Sequence, residues 1–174
     1  MGTAAFYHYG ISPWEIEVIY STLGRTFEVE EKQLQPDDPQ YVSMVEICFP
    51  ARFSESFFQE FTMDSWFKVK GVIRDIKRRR GRKGLKAFIR FAGYGNEDID
   101  LVFPILSRGD RQFEMGIEKL EYIIDVVPVQ LKSVPDKTEE IWYSYDEVSF
   151  RWSPATAKSN SVNYFFKSGE WKTK

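Results

Sequence analysis

The chain has 174 residues, 43% hydrophobic and 17% aromatic, with a formal net charge of −2. That length suits a single domain burying about two-thirds of its unfolded surface, and the aromatic content excludes a disordered or low-complexity chain. A lone cysteine, Cys48, excludes an intrachain disulfide and a Cys-based zinc site, and no apolar run approaches the ~20 residues of a membrane span.

The opening Met1-Gly2-Thr3-Ala4-Ala5-Phe6 lacks the basic-then-apolar pattern of a leader and reads as a cytoplasmic start. Ser12-Pro13-Trp14-Glu15 has the form of a capping box with proline at the tolerant first helical position. Ile16, Ile19, Tyr20 and Leu23 then make one apolar stripe, and Gly24 predicts its end. Phe27 to Glu30 alternates as a short strand, the Pro- and Asp-rich stretch 35–39 is a loop, and Tyr41 to Phe49 is a second strand. Ser54 caps a short helix carrying Phe57, Phe58 and Phe61.

Trp66 to Ile76 and Leu85 to Phe91 read as two strands joined by a turn over Arg78 to Gly84, a basic β-hairpin spanning 66–91. Asp98 to Phe103 alternates as a further strand. Phe113, Ile117, Leu120, Ile124 and Val127 are spaced 4, 3, 4 and 3, which favours a helix entered at Asp110, but the β-branched tail points to a strand from about Tyr122. Residues 110–131 are therefore open between helix and strand. The order strand, Phe-Pro, helix, strand occurs at Val45 to Val69 and again at Ile99 to Val129, too little to establish a duplication. Glu140 to Trp152 is a late strand region. The expected fold is α+β: one domain over 1–152, a mostly antiparallel sheet with two or three helices packed on it and a protruding basic hairpin. A linker and aromatic C-terminal tail follow over 153–174.

Charge is segregated. Residues 68 to 90 hold eleven Lys and Arg against Asp75 alone, a formal +10, and the remainder holds thirteen against twenty-five acids, −12. On a hairpin, Lys68, Lys70 and Arg74 share one side of the first strand, and Lys86, Phe88 and Arg90 share one side of the second. With Lys77, Arg78, Arg79, Arg80, Arg82 and Lys83 at the tip, this is a basic strip able to follow phosphates. The leading expectation is thus a non-enzymatic module contacting nucleic acid, RNA favoured, through these twelve residues. Next comes a protein-interaction or structural subunit whose basic hairpin docks on an acidic partner, homo-oligomers through acidic-basic complementarity included. The bland reading is pairing with the acidic remainder of the same molecule.

Glu28-Val29-Glu30-Glu31-Lys32 resembles the ExExK pattern of the triphosphate tunnel (CYTH) enzymes. The resemblance covers five residues, with a helix before the motif that the family lacks. It implies a metal-dependent phosphohydrolase in which Glu28 and Glu30 bind a metal while Lys68, Lys70, Lys86 and Arg90 line a tunnel. No other catalytic residue, metal site or cofactor is expected: His8 is the only histidine, and Gly-rich nucleotide motifs are missing. Trp142, Tyr143, Tyr145, Phe150 and Trp152 are read as core and interface residues.

Overall fold

The computed structural model describes residues 2–81 and 84–173. Its strands are β1 (Thr3–Tyr9), β2 (Glu28–Gln33), β3 (Ser43–Phe49), β4 (Leu85–Phe91), β5 (Asp100–Ile105), β6 (Thr138–Asp146), β7 (Arg151–Ser159), β8 (Val162–Lys167) and β9 (Glu170–Thr173). They form one sheet in the order β2-β1-β3-β4-β5-β6-β7-β8-β9. The helices are α1 (Pro13–Leu23), α2 (Glu55–Glu60), α3 (Met63–Arg80), α4 (Asp110–Glu118) and α5 (Val127–Gln130), with a 3₁₀ turn at Leu120–Ile123. The fold is α+β with a mostly antiparallel sheet, as expected.

Three strand-helix-strand units account for the first six strands. β1 and β2, β3 and β4, and β5 and β6 are each parallel neighbours joined through helices, and the units meet antiparallel at β1–β3 and β4–β5. Strands β7, β8 and β9 then add as an antiparallel meander. The second and third units contain the two stretches whose order repeats in the sequence, but their Phe-Pro pairs are not equivalent. Pro50 follows β3, whereas Pro104 lies within β5 opposite Phe88. The β5–β6 ladder ends at Val102–Trp142, so Pro104, which has no N–H to donate, falls beyond it.

One face of the sheet carries the core. Phe6, Val45, Ile47, Phe49, Ala87, Ile89, Phe91, Leu101, Phe103, Ile141 and Tyr143 join Ile19 and Leu23 of α1, Phe57 and Phe58 of α2, Trp66, Val69, Ile73 and Ile76 of α3, and Phe113 and Ile117 of α4 in one cluster. The Ser12 capping box forms as the sequence indicates: Ser12 Oγ accepts from Glu15 N at 3.2 Å, and Ser12 N donates to Glu15 Oε1 at 2.7 Å.

Several sequence expectations are corrected. Trp66 to Ile76 is the body of an 18-residue helix, so the basic hairpin of 66–91 does not form; α3 ends at Arg80 and β4 begins at Leu85, and Arg82 and Lys83 lie outside the described residues. Trp66, Val69, Lys70, Ile73, Ile76 and Lys77, buried with Ser65 and Val72, make a 3.6-residue stripe in which two lysines stand where apolar residues would announce a helix. Thr62 caps its start by accepting from Ser65 N. Residues 120–130 are turns of helix and not a strand. Their 4, 3, 4, 3 spacing outweighs β-branching because Leu120, Val127 and Leu131 all reach the core. Residues 153–173 are no linker: they complete β7 and supply β8 and β9, with Tyr164 and Trp171 against the core. His8 is buried at 1% on β1 and paired with Glu31. Among the described residues no helix is long and apolar enough to cross a membrane.

Candidate functional site

The basic segment is an ion-pair seam between helices. Lys70, 1% exposed, donates to Glu121 at 2.6 Å and to Glu118 at 3.3 Å, and Trp66 Nε1 donates to the other Glu121 oxygen at 3.0 Å. Arg74 pairs with Glu118, and Arg78 with Glu114 at 2.7 Å. Lys77, also 1% exposed, donates to Gly81 O and Arg108 O at 2.7 Å each and meets Asp110 at 3.1 Å, tying the end of α3 to the start of α4. Arg79 and Arg80 both reach buried Glu15 of α1, at 3.1 and 3.2 Å. Cations in the last turn of α3 also face its carbonyl end, where the helix dipole favours them.

Two more of the expected contact residues are engaged on the sheet. Lys86 holds Asp37 at 2.8 Å, and Arg90 holds Glu140 at 2.7 Å with Asp100 at 3.6 Å. Lys68 is exposed on α3, Arg78 and Arg79 keep about half of their side chains in solvent, and Arg82 and Lys83 are outside the described residues. The expected strip is thus divided between two sides of the sheet. Lys68, Lys70, Arg74, Lys77, Arg78, Arg79 and Arg80 belong to the helix layer; Lys86, Phe88 and Arg90 lie on the opposite face. The same division separates the four cations that a triphosphate tunnel would need together, and β2 and β9 end the sheet instead of closing on one another.

Among the described residues no helix packs on the second side of the sheet. Strand register lays its side chains out in rows. One row runs Glu30, Ala5, Cys48, Arg90, Val102, Trp142, Thr156, Phe165, Lys172. Beside it on one side are Lys32, Tyr7, Glu46, Phe88 and Pro104, and on the other Glu28, Thr3, Asp100, Glu140, Lys158 and Asn163. The loop 34–42 folds over one end: Asp37 grips Lys86, and Tyr9 Oη donates to Tyr41 O at 3.4 Å, which buries Tyr9 and Lys86. The rest stays open, with Tyr7, Glu46, Phe88, Arg90, Glu140 and Trp142 half-buried against one another.

Arg90 organises this face. Phe88 and Trp142 meet edge to face at 6.0 Å, and the Trp142 indole donates to Glu140, which also accepts from Arg90. Burial pushes the Glu140 carboxyl up, but its bonds from Trp142 and Arg90 more than offset this and leave it below the usual range. Glu46, one strand away, is raised by burial, with Arg90 opposing and Glu140 adding to the shift. The Cys48 thiol is pushed up to about 11 by burial and by Glu46, so it is a poor nucleophile. Burial and Glu30 raise Tyr7.

Glu28, Glu30 and Lys32 do share one side of an edge strand, as their spacing implies. Their neighbours in register are Thr3, Ala5 and Tyr7, and no cluster of three or more metal-ligating side chains occurs among the described residues. Charges on an edge strand also discourage pairing with other chains. Tyr7, Glu46 and Glu140 were not singled out from sequence; the signal that locates them is the alternation of β1, β3 and β6. Of the late aromatics, Tyr143 and Trp152 are core and Trp142 is on the open face. Compared with known proteins, the chain matches no family model, no curated protein and no solved structure.

Proposed function

We propose that the chain is a non-enzymatic protein-interaction module, a subunit that docks folded protein on the helix-free face of its sheet. The observation that carries this reading is the Tyr7, Phe88 and Trp142 surface built around Arg90. Aromatic and arginine side chains, half-buried and pre-ordered by their own pairing, are the residue types that dominate protein interfaces, because they bring large contact area at small cost in ordering. The acids Glu46 and Glu140 interleaved with Arg90 favour a partner bearing both signs of charge over a polyanion.

Nucleic acid is the second reading and would rest on Lys68, Arg78 and Arg79, which stay accessible among the described residues of the basic segment. Lys68→Glu is its clean test, since Arg79→Ala or Arg80→Ala removes a partner of buried Glu15 and mixes stability with binding. Salt-sensitive binding of labelled single-stranded RNA that Lys68→Glu weakens would favour this reading.

A photo-reactive phenylalanine analogue at Phe88 or Trp142, with Glu17 and Lys68 on the helix layer as controls, separates the readings in cells making the chain. Protein adducts are expected from the sheet positions alone, and excess unmodified chain should compete them away. Adducts from the helix layer only, or adducts that ribonuclease removes, would overturn the proposal.

A further inference from the structure

Resting on the reading of the open face as a protein-docking surface, we infer that its occupant is a second copy of this chain, packed face to face about a two-fold axis running along β5. The charge map of the face selects this partner and this axis. At the β2 end stand Glu28, Glu30 and Glu46 with Lys32, a formal −2; at the β7 to β9 end stand Lys158, Lys167 and Lys172 with Glu170, a formal +2. β5 is the fifth of nine strands, so a two-fold along it lays β2 of one copy over β9 of the other and β1 over β8. Glu30 then faces Lys172, and Lys32 faces Glu170, twice over, as an isologous interface requires. The other in-plane two-fold, across the strands, sets glutamate on glutamate and lysine on lysine.

The apolar groups fit the same axis. In the row centred on Val102, β4 exchanges with β6, which brings Arg90 of each copy over Trp142 of the other, a favoured cation–ring contact. Cys48 faces Thr156. Asp100 meets its own copy on the axis, and each is held by the Arg90 of its own chain.

Twist does not oppose the arrangement. Two copies of one saddle-shaped sheet related by an axis along the central strand keep a constant spacing, so facing side chains interdigitate at the usual sheet separation of about 10 Å. The loop 34–42 occupies one end. Seven central strands about 4.8 Å apart, open over about 15 Å, offer roughly 500 Å² of flat area per copy, on the order of 1,000 Å² for the pair, with the β2 and β9 ion pairs at the rim. That is the size of a weak, reversible interface.

Sedimentation equilibrium on the purified chain, from low to high micromolar concentration, tests the inference through a charge swap. Wild type is expected to dimerise reversibly, more weakly in high salt. Glu30→Lys with Lys32→Glu, and separately Glu170→Lys with Lys172→Glu, should each be monomeric, because like charges then meet at both ends. All four side chains are exposed, so the variants should keep wild-type circular dichroism and melting. Mixing the two variants should restore a dimer containing one copy of each, since every reversed pair is again of opposite sign. A monomeric wild type, a dimer indifferent to both reversals, or a mixture that stays monomeric would each overturn the second-copy assignment. Face-specific adducts to a different protein at Phe88 or Trp142, with the chain itself monomeric, would leave the docking reading standing; failure of both experiments removes both.

Discussion

Phe88 and Phe91 stand three residues apart on β4 and point to opposite sides of the sheet. Phe91 is fully buried, with Phe49, Phe53, Phe57 and Phe103 around it; Phe88 is half-buried and touches Trp142. Charges divide in the same way. On the helix side Lys70 and Glu121 are desolvated and mutually dependent, whereas on the open side Arg90, Glu140 and Asp100 keep part of their hydration. The same residue types are structural where helices cover them and available for binding where nothing does.

The sharpest break of that comparison is Lys70→Ala. It leaves Glu121 buried without its cation and should cost about 3–5 kcal/mol in urea unfolding, while Lys70→Met with Glu121→Gln, which keeps an acceptor for Trp66, should cost much less. Phe91→Ala should lose about 3–5 kcal/mol as a core cavity, against about 1 kcal/mol or less for Phe88→Ala. Equal losses at the two phenylalanines would mean that the second face is also core.

Cys48 reports on the open side by its chemistry. With its pKa near 11, the thiolate fraction at pH 8 is about a hundredfold below that of an ordinary thiol, and labelling by a disulfide reagent should be slower by about that factor until the chain is denatured. The smallest effect is expected at Glu46. Its carboxyl is raised in the fold, so its stabilising contribution is present below the ordinary carboxylate range and is lost as pH rises through the raised value. Glu46→Gln should therefore be slightly more stable than wild type at pH 7, with the gap closing as pH falls. A gap that widens on acidification would show that Glu46 gains more from Arg90 than it loses by burial.

Local signals carried much of the fold. Ser12 to Glu15, Ser54 before its phenylalanines, and the alternation of Leu85 to Phe91 each act within a few residues, and each element formed where those residues placed it. The same sequence also marked the concentration of positive charge and the pairing of Glu28 with Glu30 on one strand side. Helix α3 was not legible. Lys70 and Lys77 occupy its buried stripe, and only Glu121, Glu118, Asp110 and the carbonyls of Gly81 and Arg108, 4 to 51 residues away, make a lysine acceptable there. With the apolar stripe interrupted, Phe67, Val69 and Ile73 read as alternation instead.

The same limit applies to the candidate site. Composition placed eleven cations in one stretch of chain, but which of them remain accessible depends on carboxylates brought by α1, α4 and the segment after it. Alternation assigns Trp142, Tyr7 and Arg90 to one side of their strands. That this side of the sheet is the one left without helices follows from the packing of α1 to α4 on the other, which is a property of the whole chain. Short-range stereochemistry is written locally; burial and charge pairing are decided by residues distant in sequence, so only the tertiary structure distinguishes a basic surface from an internal seam.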